Sequence, residues 1–348
     1  MSIDTIKITT FDFATAIDEQ IYPLWEHFMR IRAERQPDDP IFPFADYLTS
    51  NRNQSSLWRK IVGVACEPTS GAVIGRAIVD MNISGDNPHM GFISVDVRPE
   101  LRRQGFGWQL LAWAVKTAQA EQRSLLMFST HERAPAGAAF AERIGAARGY
   151  EERVSQLILS EVDRPLMQRW QERAAERAVG FELGFWPGPY PEEDIAAIAE
   201  LAQVMNTAPR DALQVDDETW TPEKLREQER TMYAGGAKRW TVYVREQASG
   251  DFAGFTEIYW RPSMAPIVFQ GATAVYPHFR NLGLGRWLKA AMIERVLADK
   301  PEARFVCTDN AESNAPMLGI NVEMGFKPYL ANTIWQIETE RALAYSRA

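Results

Sequence analysis

The sequence is poor in cysteine and histidine. Among its 348 residues are two cysteines, Cys66 and Cys307, and four histidines. Two thiols this far apart cannot form a disulfide framework, so the cytoplasm is the expected compartment. His27, His89, His131 and His278 show neither His-x-His nor His-Glu-x-x-His spacing, and no metal site is expected. Positive charge is in deficit, with 38 Lys and Arg against 46 Asp and Glu and a net charge of −8. General binders of nucleic acid or anionic membranes draw their affinity from Lys and Arg, so neither partner is expected. No apolar run approaches the roughly 18–20 residues that cross a bilayer. The N-terminal stretch MSIDTIKITTFDF lacks a basic segment followed by an apolar core, so no secretion signal is expected. Gly-x-Ser-x-Gly is absent too, which argues against a serine hydrolase of that type.

What is present is length for two domains and an internal repeat. Val97-Arg98-Pro99-Glu100-Leu101-Arg102-Arg103-Gln104-Gly105-Phe106-Gly107-Trp108 recurs 178 positions later as Val275-Tyr276-Pro277-His278-Phe279-Arg280-Asn281-Leu282-Gly283-Leu284-Gly285-Arg286. Val, Pro, Arg and both Gly are identical in the two copies. A spacing this long marks one duplicated domain-sized unit, not a solenoid. An apolar run precedes each copy, Gly91–Val95 and Ile267–Ala272, and reads as a strand. A helical pattern follows each. Phe106, Leu110, Trp113 and Ala114 share one face, as do Leu284, Leu288, Ala291 and Met292. A further strand (Ser124–Phe128, Arg304–Cys307) and a short helix (Pro135–Ile144, Pro316–Met324) complete each centre. Strand, helix and strand in this order demand a crossover and parallel pairing.

Hairpins lie upstream of each centre, Leu57–Cys66 with Ala72–Ile83 and Trp240–Arg245 with Ala253–Trp260, joined by Gly- and Ser-bearing turns. Helices precede them at Asp18–Ala33 and Glu192–Val204, and Thr221-Pro222 starts another with Thr as N-cap. Glu223–Arg230 in that helix is charge-dense and reads as its solvated face. Arg164–Val179 reads as a connecting helix, and Trp186-Pro187-Gly188-Pro189-Tyr190-Pro191 as a rigid turn.

In the repeated motif, glycines let the backbone aim its N–H groups at one point, and the helix N-terminus adds unpaired donors and partial positive charge. The product is an anion cradle suited to a phosphate, with Arg102 or Arg280 as a charged partner. It is not a P-loop, because Gly285 precedes Arg286 rather than Lys-Ser/Thr. It is not a dinucleotide fingerprint either, because the third glycine is missing.

At these residues the sequence resembles the GNAT acyltransferase superfamily in a tandem arrangement. Both halves carry its Val-x-Pro-x-x-Arg-x-x-Gly-x-Gly motif. The second half also carries the family's Asn-bearing strand end and closing Gly-Phe, in Cys307–Met317 and Met324-Gly325-Phe326. In the first half Ser129-Thr130-His131-Glu132 has no asparagine, and Ile144-Gly145-Ala146 replaces Gly-Phe.

The resemblance implies an α/β (α+β) protein of two GNAT-like domains, each a mixed sheet splayed in a V and flanked by helices. The N-terminal domain would span residues 1–161, the connecting helix 162–179 and the C-terminal, catalytic domain 180–348. It also implies acetyl-CoA or another acyl-CoA as co-substrate. The diphosphate would meet Arg280, Asn281, Leu282, Gly283, Leu284, Gly285 and Arg286, and the pantetheine would pair along Ala274, Val275 and Tyr276 and face Asn310 and Asn314. The matching first-half positions are Val95, Val97, Arg102, Arg103, Gln104, Gly105, Phe106, Gly107 and Trp108.

The implied chemistry is direct transfer from thioester to amine, with Val275 near the oxyanion and Glu257 as base; Tyr259 and Tyr276 are alternative proton carriers. The family's proton-donating tyrosine falls on Asn321 in the second half and Ala141 in the first. A thiolate with a pKa of about 8.5 still leaves without full protonation. The loop Asn206–Glu218 would offer an acidic lip to a cationic acceptor, or be an ordinary solvated loop; a small-molecule amine is expected as acceptor before a protein. Cys307 reads as a buried apolar residue. Two other readings stand beside the enzyme. One is a non-catalytic acyl-CoA-binding regulatory or scaffold protein. The other is an adaptor that binds no acyl-CoA.

Overall fold

Each copy of the repeated motif sits at the centre of a six-stranded sheet. The structure, a computed structural model, describes residues 6–347. The reading of the N-terminal stretch therefore falls partly on residues 1–5, outside the described residues. In chain order the first elements are β1 (Ile8–Phe11), α1 (Asp18–Arg35), α2 (Phe44–Arg52), β2 (Trp58–Cys66), β3 (Val73–Asn82) and β4 (Met90–Val97). They continue with α3 (Phe106–Ala120), β5 (Leu125–His131), α4 (Ala136–Arg143), β6 (Ala147–Ile158) and α5 (Arg164–Arg177). Next come β7 (Phe181–Trp186), α6 (Ile195–Ala202), α7 (Pro222–Ala234), β8 (Lys238–Glu246) and β9 (Phe252–Trp260). The last are β10 (Ile267–Val275), α8 (Leu284–Asp299), β11 (Phe305–Ala311), α9 (Ala315–Met324), β12 (Lys327–Glu338) and α10 (Thr339–Arg347).

The chain forms two compact units. Among the described residues the first holds 6–151, 210–216 and 331–347, and the second holds 152–209 and 217–330. Strands of the first unit run in the order β1-β2-β3-β4-β5-β12, and those of the second β7-β8-β9-β10-β11-β6. Neighbours are antiparallel except for β4 with β5 and β10 with β11, the parallel pairs that the crossover helices α3 and α8 require. Each parallel ladder is three residues long. It runs from Met90↔Leu125 to Phe92↔Met127 in one unit and from Ile267↔Phe305 to Phe269↔Cys307 in the other. Beyond those pairs the two strands part, which is the V expected of each sheet.

Apolar spacing explains how α3 and α8 lie. Leu284, Leu288, Met292 and Val296 recur every four residues and are buried on the sheet, as are Leu110, Leu111, Ala114, Val115 and Ala118 of α3. Each large side chain so buried contributes about 1.5–3 kcal/mol. Both helices begin at a glycine in the left-handed region, Gly105 at φ 88° and Gly283 at φ 87°. A non-glycine residue there costs roughly 1–2 kcal/mol.

The units divide the chain differently from the expected boundaries at 161 and 180. Residues 152–158 of β6 lie before 161, yet they pair with β11 and close the edge of the second sheet. Residues 332–338 of β12 lie far beyond 180, yet they pair with β5 and close the first. The physical reason is ladder completion, since without these strands β5 and β11 would present open rows of N–H and C=O. Helix α5 is more than a connector. Met167, Trp170 and Ala174 are buried, and Met167 and Trp170 pack in the core of the second unit. Residues 210–216, expected to line a pocket of the second domain, belong to the first unit. There Gln336 donates to Ala212 O at 2.7 Å and accepts from Gln214 N at 3.1 Å. The boundary between the units thus falls inside the loop 206–218, after Pro209 and again after Asp216.

Candidate functional site

In the second unit, the parting of β10 from β11 opens a cavity of about 1100 Å³ bounded by α8 and α9. Ala274, Val275, Arg280, Asn281, Gly283, Leu284, Gly285, Arg286, Asn310 and Asn314 line it. Tyr276 and Leu282, also expected here, are not among the lining residues. The turn into α8 needs two left-handed residues, Asn281 at φ 69° and Gly283 at φ 87°. A Cβ at Gly283 would meet nothing within 4 Å, so the glycine answers to backbone conformation and not to crowding. Trp287 N donates to Gly283 O at 3.1 Å, and the N–H groups ahead of Trp287 have no acceptor within the helix. Arg280 is oriented by its own strand, donating Nε to Val275 O at 3.1 Å and Nη2 to Thr207 Oγ1 at 2.9 Å. Among the described residues no carboxylate pairs with it, so its charge is offered to the cavity.

The first unit repeats this turn with one difference. Arg103 and Gly105 are left-handed at φ 66° and 88°, and Arg102 donates Nε to Val97 O at 3.1 Å. Its two terminal nitrogens, however, grip both oxygens of Glu34 at 2.6 Å. Hydrogen bonds from Arg102 hold the Glu34 carboxyl below its ordinary value. Phe106 and Trp108 pack against the core, Trp108 edge-on to Phe140 at 5.5 Å, and Gly107 lies beside Val97. Val95 and Val97 are on β4 beyond its ladder with β5, and Gln104 is in the turn.

Two of the expected site residues, Glu257 and Asn321, lie deeper in the second unit. Glu257 is 5% exposed and does not line the cavity. One oxygen accepts from Tyr190 Oη and from Thr241 Oγ1 at 3.0 Å, and the other from Tyr259 Oη at 2.7 Å. Arg239 Nε stands 3.6 Å away. Burial, then the charge of Glu257, drive both tyrosine hydroxyls well above their ordinary pKa. Tyr259 is thus a donor to Glu257, not a free proton carrier. Asn321 is 1% exposed and also outside the lining. Its Nδ2 donates to Asn310 Oδ1 at 2.7 Å, and its Oδ1 has no partner. Asn314 caps α9 by accepting from Met317 N at 3.4 Å.

Gln270 and Lys289, two lining residues, escaped the sequence reading. Gln270 is 5% exposed. Its Nε2 donates to Glu257 O at 2.6 Å and to Thr256 Oγ1 at 3.0 Å, while its Oε1 is buried without a partner. It sits where the register of β10 against β9 shifts, a tertiary feature with no sequence signal. Lys289 is 1% exposed, and burial pulls its amine down to about 7. Its signal was available, because the repeat sets Lys289 against the core leucine Leu111.

Among the described residues, no cluster of His, Cys, Asp and Glu could hold a metal ion, and no helix is long and apolar enough to cross a membrane.

Residues 19–146 match the model of the acetyltransferase (GNAT) family. A solved tandem GNAT protein from the clavulanic acid biosynthesis pathway is similar over 96% of this chain and 99% of its own, with 24% identity and a TM-score of 0.78. A GCN5-related N-acetyltransferase from Sphaerobacter thermophilus is similar over 96% and 97%, with 14% identity and a TM-score of 0.65. At these identities the likeness is one of fold, and it spans both units. No curated protein matches the chain significantly. The family match falls on the first half, which carries the less complete motif.

Proposed function

We propose that this chain, which folds as two GNAT domains in tandem, is an N-acyltransferase that moves a short acyl group from acyl-CoA to a small amine, with the second unit as its catalytic site. The observation that carries the reading is the free cradle of that unit. Arg280 and the N-terminus of α8 face the same cavity, and among the described residues no carboxylate pairs with Arg280. In the first unit Glu34 already takes up the equivalent arginine, which favours a supporting role there, whether as an acyl-CoA binder or as a scaffold.

The residues present fit an acyl-CoA. A diphosphate meets Arg280 and the amides of the turn, and the parted edge of β10 and the lone Gln270 Oε1 suit the amide groups of pantetheine. When bound, acyl-CoA supplies an acyl thioester. The chain's part is to hold and polarise it. Tyr276 N donates to Ala253 O at 2.9 Å on the β9 side, so by strand alternation the Val275 N–H points to the other edge, toward the cavity. That N–H is suited to an oxyanion on the thioester carbon. Glu257 is badly placed to be the base, because it is buried outside the cavity lining and both its oxygens already accept from hydroxyls of the chain. We assign the amine's proton to water in the cavity instead. Low cysteine content supports a cytoplasmic setting.

Isothermal titration with acetyl-CoA tests the reading. Wild type should bind one equivalent. Gly283→Asp should weaken binding at least ~10-fold, about 1.4 kcal/mol, by straining the turn and placing a like charge in the cradle. Gly105→Asp should bind as wild type does. Absence of binding by wild type, or its loss in Gly105→Asp alone, would overturn the assignment. Release of CoA thiol with a panel of amines then separates an enzyme from a binder.

A further inference from the structure

Lys289 stands out among the buried charges of the second unit. It is 1% exposed, lines the cavity, and has the ring of Phe326 as its neighbour at 5.4 Å. Among the described residues no carboxylate pairs with it. Buried cations are ordinarily paired, and the repeat shows that packing here does not ask for one, since Leu111 fills the same place in the first unit. Lys289 follows the cradle glycine Gly285 by four residues, so both share a face of α8 one turn apart.

We propose that Lys289 is an internal acyl acceptor, so that an acyl-CoA held in the second unit acylates its Nζ. The inference rests on the reading of this cavity as an acyl-CoA site. Neutral Nζ attacks the thioester carbonyl carbon, the C–N bond forms and the C–S bond breaks. The proton shed by the nitrogen goes to the departing sulfur, so the products are an amide on Lys289 and CoA thiol. Two physical terms favour the step. With its amine brought to about 7 by burial, Lys289 has a neutral fraction on the order of 10³ times that of an ordinary lysine at neutral pH. Acylation also replaces a buried, unpaired charge with a neutral amide, which costs less to bury. The amide nitrogen is no longer nucleophilic, so the reaction stops after one acyl group per chain.

The test is to incubate the full chain with acetyl-CoA at pH 8 and follow intact mass and peptide maps. One acetyl group should appear on Lys289, at least ~10-fold faster than on the exposed Lys116 and Lys238, as the larger neutral fraction requires. Gly283→Asp should slow it, and Lys289→Leu, patterned on Leu111, should abolish it while keeping the wild-type circular dichroism spectrum. Lys289→Met serves as a second folded control. If wild type binds acetyl-CoA but Lys289 stays unmodified, or reacts no faster than Lys116 and Lys238, this proposal fails and the reading of the cavity stands. If wild type binds no acetyl-CoA, both fall.

Discussion

Asp96, on β4 between Val95 and Val97, is a buried carboxylate of the first unit. It meets Arg76 Nε at 3.0 Å and His27 Nε2 at 3.2 Å. Burial would raise its carboxyl, but the charge of Arg76 and the hydrogen bond from His27 outweigh burial and hold it well below the carboxylate range. A carboxyl depressed in the fold lends stability above its unfolded value of about 3.9 and loses it as pH falls toward the folded value. Urea unfolding should therefore show wild type losing stability as pH drops below about 4. Asp96→Asn should lose about 3–5 kcal/mol at pH 7, because Arg76 would be left buried and unpaired. Retention of wild-type stability by Asp96→Asn at pH 7 would show that the pair contributes nothing net. At this scale the sequence conveyed residue type but not environment. Glu257 looked like a base because a strand carboxylate beside a motif can be one, and only the fold revealed Tyr190, Thr241 and Tyr259 around it.

Two elements built on one motif differ in what reaches them. The turns into α3 and α8 agree to within a degree in φ at their glycines and share the arginine-to-carbonyl bond at 3.1 Å. Near its C-terminus, α1 brings Glu34 onto Arg102, whereas the short turn after α6 brings the hydroxyl of Thr207 onto Arg280. Glu34→Gln should thus free the first cradle and raise the acetyl-CoA stoichiometry by titration from one toward two. An unchanged stoichiometry would mean that Glu34 is not what closes it. Capping at Thr221 was legible in full. Thr221 Oγ1 accepts from Lys224 N at 3.3 Å, and Thr221→Ala should lower stability by about 1 kcal/mol in thermal unfolding.

Across the whole molecule, each unit depends on a strand from the other half of the sequence. A fragment of residues 1–161 lacks the part of β12 that pairs with β5 and should expose that edge. It should aggregate or lack fixed near-UV dichroism. The contiguous stretch 152–330 holds all of the second unit and should fold alone with cooperative unfolding. If residues 1–161 fold cooperatively alone, β12 is dispensable to the first sheet.

The sequence by itself determined the duplication, the two anion-cradle turns, and the strand–helix–strand order that makes one pair in each sheet parallel. These are local or periodic properties, set by glycine conformation, by apolar spacing along a helix and by the reach of a crossover. Tertiary structure alone decided which strand closes each sheet, which arginine is left without a carboxylate, and which side chains line the cavity. Each of these depends on groups distant in the chain meeting at one place. Glu34 and Arg102, or β12 and β5, are neighbours only after the sheets have formed, and no local pattern records such a meeting.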